Sequence, residues 1–94
     1  MSVKKQLKFT RNAFSNIVAA EDYIAQDNPT AAAKVAQAIF KTAGQLEANP
    51  EIGRMGRVSG TRELPVKKYP FTLIYRIRGD AVVVYAVLHQ SRLY

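Results

Sequence analysis

The sequence predicts an α+β fold: an N-terminal strand, an antiparallel helix hairpin, then a three-stranded antiparallel β-meander. Three observations carry that expectation. Apolar residues alternate with period two near the N-terminus, recur at spacings of three and four over residues 10–48, and return to strand-like runs between residues 60 and 89. Those periods belong to strand, helix and strand respectively.

In the first segment Val3, Leu7 and Phe9 share one face while Lys4, Gln6 and Lys8 share the other, the pattern of a half-buried strand whose apolar face Lys5 interrupts. At Thr10 the period changes. A hydroxyl able to cap a helix precedes Ala13, Phe14, Ile17, Val18, Ala20 and Ile24, which predicts a helix to about residue 26. Asp27-Asn28-Pro29 ends it and starts the next, Asn28 as cap and Pro29 at the first helical position, where no amide donor is missed. A stripe of Ala32, Val35, Ala36, Ile39, Phe40, Ala43 and Leu46 carries the second helix to about residue 48, and its many alanines allow close approach of another element. Phe14, Ile17, Val35, Ile39 and Phe40 are expected in the core rather than around a ligand.

The loop EIGRMGRVSG, residues 51–60, places Gly53, Gly56 and Gly60 around Arg54 and Arg57. Its glycine spacing is neither a Walker nor a dinucleotide motif and follows a helix rather than a strand, so the loop is expected to be flexible, with both arginines able to reach a partner. The meander begins with a short strand over 62–66, closed by Lys67-Lys68 and Tyr69-Pro70. The next strand, 71–78, sets Phe71, Leu73, Tyr75 and Ile77 on a dry face and Thr72, Ile74, Arg76 and Arg78 on a charged one. Gly79-Asp80 forms a two-residue hairpin turn, and the third strand, 81–88, is apolar on both faces, as expected of a central strand.

The chain's 94 residues make one domain, 1–94. It lacks cysteine and has a single histidine, so the usual ligands of a structural zinc site are missing; no metal and no cofactor are expected. No apolar run approaches signal-peptide or membrane-spanning length, which predicts a cytoplasmic protein without a membrane partner. The formal charge is +7. From residue 51 onward six Arg and two Lys face three acidic residues, net +5, against six and four, net +2, before it. The C-terminal half is therefore the expected contact surface, rich in a side chain whose planar fork suits carboxylates and phosphates.

His89 ends the central strand, with Arg92 and Tyr94 beyond it. Together with Arg62 and Arg76 these residues match the needs of a metal-free ribonuclease, in which a base takes the 2′-hydroxyl proton and arginines stabilise the phosphorane. The simpler role for His89 is a structural hydrogen bond at the strand end. No carboxylate dyad accompanies it: Asp80 lies in a turn, and Glu63 is expected to pair with an arginine.

The motifs A-x-x-D-Y-I-A (19–25), N-P (28–29), A-x-x-L-x-x-x-P-x-x-G-R-x-G-R-V-x-G-T-R-E-L (43–64), Y-P-F-x-L-I-Y-R-I (69–77) and V-L-H (87–89) span nearly the whole chain. In these the sequence closely resembles ParE-type toxins of the RelE/ParE superfamily. The resemblance implies the toxin of a type II toxin–antitoxin, or plasmid-stabilisation, module, held inactive in a hetero-oligomeric complex with a ParD-like antitoxin. Within the superfamily it implies one of two targets. ParE-like members inhibit DNA gyrase and are not known as nucleases, whereas RelE-like members cut messenger RNA with basic residues and a C-terminal tyrosine or histidine. The G-R-x-G-R-V-x-G-T-R-E-L and V-L-H patterns favour gyrase inhibition, with Arg54, Arg57, Arg62, Arg76, Arg78, His89 and Arg92 as target- or antitoxin-binding residues and no catalytic residue. In the alternative, a metal-independent endoribonuclease, His89, Arg62, Arg76, Arg92 and Tyr94 are the catalytic set. A basic nucleic-acid-binding module without toxicity is the third reading.

Overall fold

The central strand is β5 (Ala81–His89), flanked by β1 (Gln6–Phe9) in parallel and β4 (Phe71–Arg78) in antiparallel pairing. The computed structural model describes residues 4–92, with only the backbone at Arg92, so Val3 and Tyr94 lie outside the described residues. Beyond β4 come β3 (Arg62–Pro65) and a two-residue edge strand, β2 (Arg54–Met55), giving the order β1-β5-β4-β3-β2. The class is the expected α+β. β2 is an addition, drawn from the glycine-arginine loop.

Between β1 and the meander lie α1 (Arg11–Ala25) and α2 (Pro29–Gly44). The hairpin they form is the crossover that a parallel β1–β5 pair requires. Both starts are capped as the sequence indicates. Thr10 Oγ1 accepts the Ala13 amide at 3.0 Å and Asn28 Oδ1 the Ala31 amide at 3.1 Å, each satisfying a donor the helix leaves unpaired.

α2 ends at Gly44 rather than near residue 48. From Gln45 the chain tightens to i→i−3 bonds (Gln45 to Thr42, Leu46 to Ala43, Glu47 to Gly44), and Leu46 is still driven fully into the core. The hydrophobic stripe thus outlasts the helix. Phe14 and Phe40 also depart from expectation: Phe14 is 55% and Phe40 42% exposed. Small residues, Ala13 on α1 and Ala32, Ala36 and Ala43 on α2, take the buried positions instead, which leaves the bulkier rings at the margins. Phe40 packs edge-on against Phe9, centroids 5.5 Å apart.

The core is Ile17 and Ile39 from the helices with Leu73, Tyr75, Val82 and Val84 from the sheet, all at or near zero exposure. A bulge interrupts β5: Ile74 faces Ala86 and Tyr75 faces Val84, leaving Tyr85 extra. It falls where β1 gives out, since Phe9 is opposite Val84. There α1 takes over the exposed strand edge. Thr10 Oγ1 and Asn12 Nδ2 both donate to the Tyr85 carbonyl at 3.1 Å, and the Val87 amide donates to Asn16 Oδ1 at 3.0 Å. The Gly79-Asp80 turn closes the β4–β5 hairpin as expected, Gly79 at φ +58°.

Candidate functional site

Two features beyond the core bear on the sequence-predicted site: a tied loop rich in arginine, and an apolar groove at the far end of the sheet. The sequence suggests a flexible loop over residues 51–60. The structure shows a fastened one. Tyr75, whose side chain points from the core face of β4, donates its hydroxyl to the Pro50 carbonyl at 2.7 Å and accepts the Gly53 amide at 2.9 Å. Burial pushes the phenol pKa up, so it stays protonated and remains a donor; the Gly53 amide and the Arg62 charge oppose that shift without reversing it. Arg62, opposite Tyr75 on β3, donates through one guanidinium nitrogen to the carbonyls of Glu51 (3.2 Å) and Gly53 (2.9 Å).

On the other face of the sheet, Glu63 is buried and anchors the same loop from behind. Its carboxylate accepts from Arg54 Nη2 at 3.5 Å and from the Arg57 amide at 3.4 Å. The expected pairing of Glu63 with an arginine is therefore made by Arg54, whose side chain is still 63% exposed. Arg76 donates to the Ser59 carbonyl at 3.1 Å and lies over the Tyr85 ring, 5.9 Å from its centroid. Arg78 is exposed beside the hairpin turn. Arg62 and Arg76 thus hold the loop in place instead of reaching outward, and the loop displays Met55 (83% exposed) between Arg54 and Arg57, with Val58 exposed just after them.

The groove measures ≈ 790 Å³ and lies between the C-terminal half of α1, the start of α2 and the ends of β4 and β5. Ala20, Ile24, Val35, Phe71 and Val87 line it, and Tyr23 stands exposed at its edge. Its cause is local: α1 fully buries only Ala13 and Ile17, so Ala20 and Ile24 in its second half are left partly uncovered. Among the described residues, His89 is the only ionisable side chain on its walls besides tyrosines. The His89 ring meets Phe71 edge-on at 5.4 Å, and its Nδ1 accepts the Ser91 amide at 3.2 Å and pairs with the Ser91 hydroxyl at 2.8 Å. In the neutral ring that leaves the proton on Nε2.

The register separates His89 from the arginines. His89 pairs with Phe71, Arg62 with Tyr75 and Arg76 with Val83, so His89 sits four to five residues along β4 from both, roughly 13–17 Å at strand rise. Arg76 also alternates onto the face away from Phe71, Leu73 and Tyr75. The backbone of Arg92 ends the 3-10 turn Gln90–Arg92 that directly follows His89, and Tyr94 is outside the described residues. Sequence reasoning missed Tyr75, Gly53 and Asn16 as loop and edge anchors, as well as the groove. A signal for Tyr75 exists: a phenol on a dry strand face must find a polar partner.

Comparison with known proteins agrees with this architecture. A family model described as "ParE toxin of type II toxin-antitoxin system, parDE" matches residues 7–94. Y4kP of Sinorhizobium fredii (strain NBRC 101917 / NGR234) is 35% identical over 86 residues, covering 92% of this chain and 88% of that protein. Toxin RelE2 of Caulobacter vibrioides is 32% identical over 88 residues, covering 94% and 98%. Among solved structures, a chain of the chromosomal ParDE TA system from P. aeruginosa superposes with a TM-score of 0.83 at 30% identity, covering 94% of this chain and 98% of that one. A chain of the RelBE2 toxin-antitoxin complex from Mycobacterium tuberculosis shares the fold, with a TM-score of 0.66 at 23% identity over 95% and 94%. With a family model matched over residues 7–94 and relatives of 30% identity or more along nearly the whole chain, the chain belongs to the ParE toxin family of type II toxin–antitoxin systems.

Proposed function

We propose that this toxin acts by binding, inhibiting DNA gyrase without a catalytic step of its own, and that a ParD-like antitoxin neutralises it by seating an apolar segment in the groove. The observation that carries the non-catalytic reading is the separation just described. His89 and two of the arginines of the ribonuclease set, Arg62 and Arg76, lie apart along the strand, and Arg76 is on the opposite face. The arginines are also engaged with loop carbonyls.

The groove supports the antitoxin half of the proposal. It is large enough for a row of apolar side chains from an amphipathic helix, and its walls are mostly apolar and aromatic residues, with Asn16, His89 and Ser91 as the polar ones. The module acts in the cytoplasm, where gyrase is found; no helix among the described residues is long and apolar enough to cross a membrane.

A second reading, messenger RNA cleavage, draws on the 32% identity to Toxin RelE2. Purified protein assayed in parallel for inhibition of gyrase supercoiling and for RNA cleavage decides between them: inhibition without cleavage is expected, and cleavage without inhibition reverses the assignment.

A further inference from the structure

A second concavity of ≈ 400 Å³ lies beyond Tyr69, the residue that lines both it and the apolar groove. Lys41, Lys67 and Lys68 surround it over a floor of Ala38, Leu64 and Tyr69, and no acidic residue among the described ones lines its walls. All three lysines are exposed, and among the described residues none of their ammonium groups makes a hydrogen bond or ion pair. Lys41, in the last turn of α2, favours the negative end of the helix dipole. Nothing comparable accounts for the other two. Lys68 also holds φ at +72°, a left-handed conformation that glycine adopts at no steric cost and a lysine adopts only with strain.

We propose that this basin receives an acidic stretch of the antitoxin, continuing from the apolar segment in the groove past Tyr69. The inference rests on the antitoxin-in-groove reading and adds the chemistry of the next part of the chain. Three unpaired ammonium groups at one place repel one another, and carboxylates relieve that repulsion. The apolar floor, continuous with an apolar groove, suits a peptide. A phosphodiester strand leaves such a floor unfilled, and lysine offers it a point charge without the bidentate fork of arginine. The segment's entry into the basin is intramolecular once the groove is occupied, so weak exposed charge pairs suffice.

The test measures the affinity of the full-length toxin for its cognate antitoxin. The triple variant Lys41→Gln/Lys67→Gln/Lys68→Gln is expected to bind on the order of tenfold more weakly at about 50 mM salt and to converge with the parent at about 500 mM, as screening removes the charge term. A charge-matched control, Lys4→Gln/Lys8→Gln/Lys34→Gln, is expected to bind like the parent. Lys68→Gly separates site from scaffold: relief of the left-handed strain keeps or raises its melting temperature while affinity falls. Equal weakening by both triple variants, or none by the first, overturns the proposal. So does lysine-dependent binding of a single-stranded oligothymidylate with antitoxin affinity unchanged. Ala19→Arg, which obstructs the groove, reports on the groove reading alone: loss of affinity there with no effect of the lysine variants removes the basin and leaves the groove.

Discussion

The Tyr75 hydroxyl lies 2.9 Å from the Gly53 amide nitrogen, and a Cβ built on Gly53 would stand 2.6 Å from that same hydroxyl oxygen. The arginine loop is therefore locked to the sheet by a contact that only glycine permits. Arg54 and Arg57 follow in the same loop, held from the other face by Glu63.

Gly53→Ala is expected to destabilise the protein by about 1–3 kcal/mol, the usual cost of overpacking. The far wall is a buried ring edge as well as the hydroxyl, so rotation of the phenol alone gives no relief. Denaturant unfolding of the two proteins under identical conditions measures the difference; equal midpoints refute the lock.

Tyr75 also predicts an alkaline limit. Its folded pKa is raised above the ordinary value of 10.0, so the folded state binds the phenolic proton more tightly than the unfolded one. That contribution is complete below about pH 10 and is lost as pH rises through the folded pKa. Stability should fall from about pH 10 upward, and Tyr75→Phe, less stable at neutral pH through loss of two hydrogen bonds, should fall less steeply. Parallel alkaline slopes for parent and variant contradict this.

Arg62 carries a related expectation. Because its guanidinium donates to two loop carbonyls, Arg62→Gln should cost about 1–2 kcal/mol of stability, within the range for hydrogen bonds from charged groups less the discount for partial exposure. Reduced toxicity at unchanged stability assigns Arg62 to the target instead.

The groove makes a prediction about assembly. Ala19 is exposed and lines the groove, so Ala19→Arg should fold normally, since arginine is a good helix former, yet lose antitoxin binding by tenfold or more. Co-purification and titration with the antitoxin show it; undiminished affinity places the antitoxin elsewhere.

Much of the fold is legible in the sequence because local chemistry and global fold agree. Thr10, Asn28-Pro29 and Gly79-Asp80 act as cap, helix start and hairpin turn, and β5, apolar on both faces, is central. What is not legible depends on tertiary partners. The end of α2 is hidden because Leu46 continues the stripe beyond the helix. The two exposed phenylalanines are hidden because periodicity reports a face but not which of its residues meet a neighbour. Arg62 and Arg76 read as part of an outward-facing set because charge counts do not reveal loop carbonyls as acceptors. The groove arises from what the second half of α1 fails to touch, an absence that no spacing records.

The central claim, toxicity by binding rather than RNA cleavage, places His89 in a structural role at the strand end, against Phe71 and Ser91. His89→Gln keeps hydrogen-bonding capacity and removes the titratable ring. Expressed without antitoxin, this variant should still arrest growth, induce the DNA-damage response and leave transcripts intact, and purified it should still inhibit gyrase supercoiling. Transcript cleavage by the parent that the variant loses by about 10²–10⁴-fold, the usual contribution of a general acid or base, contradicts the account.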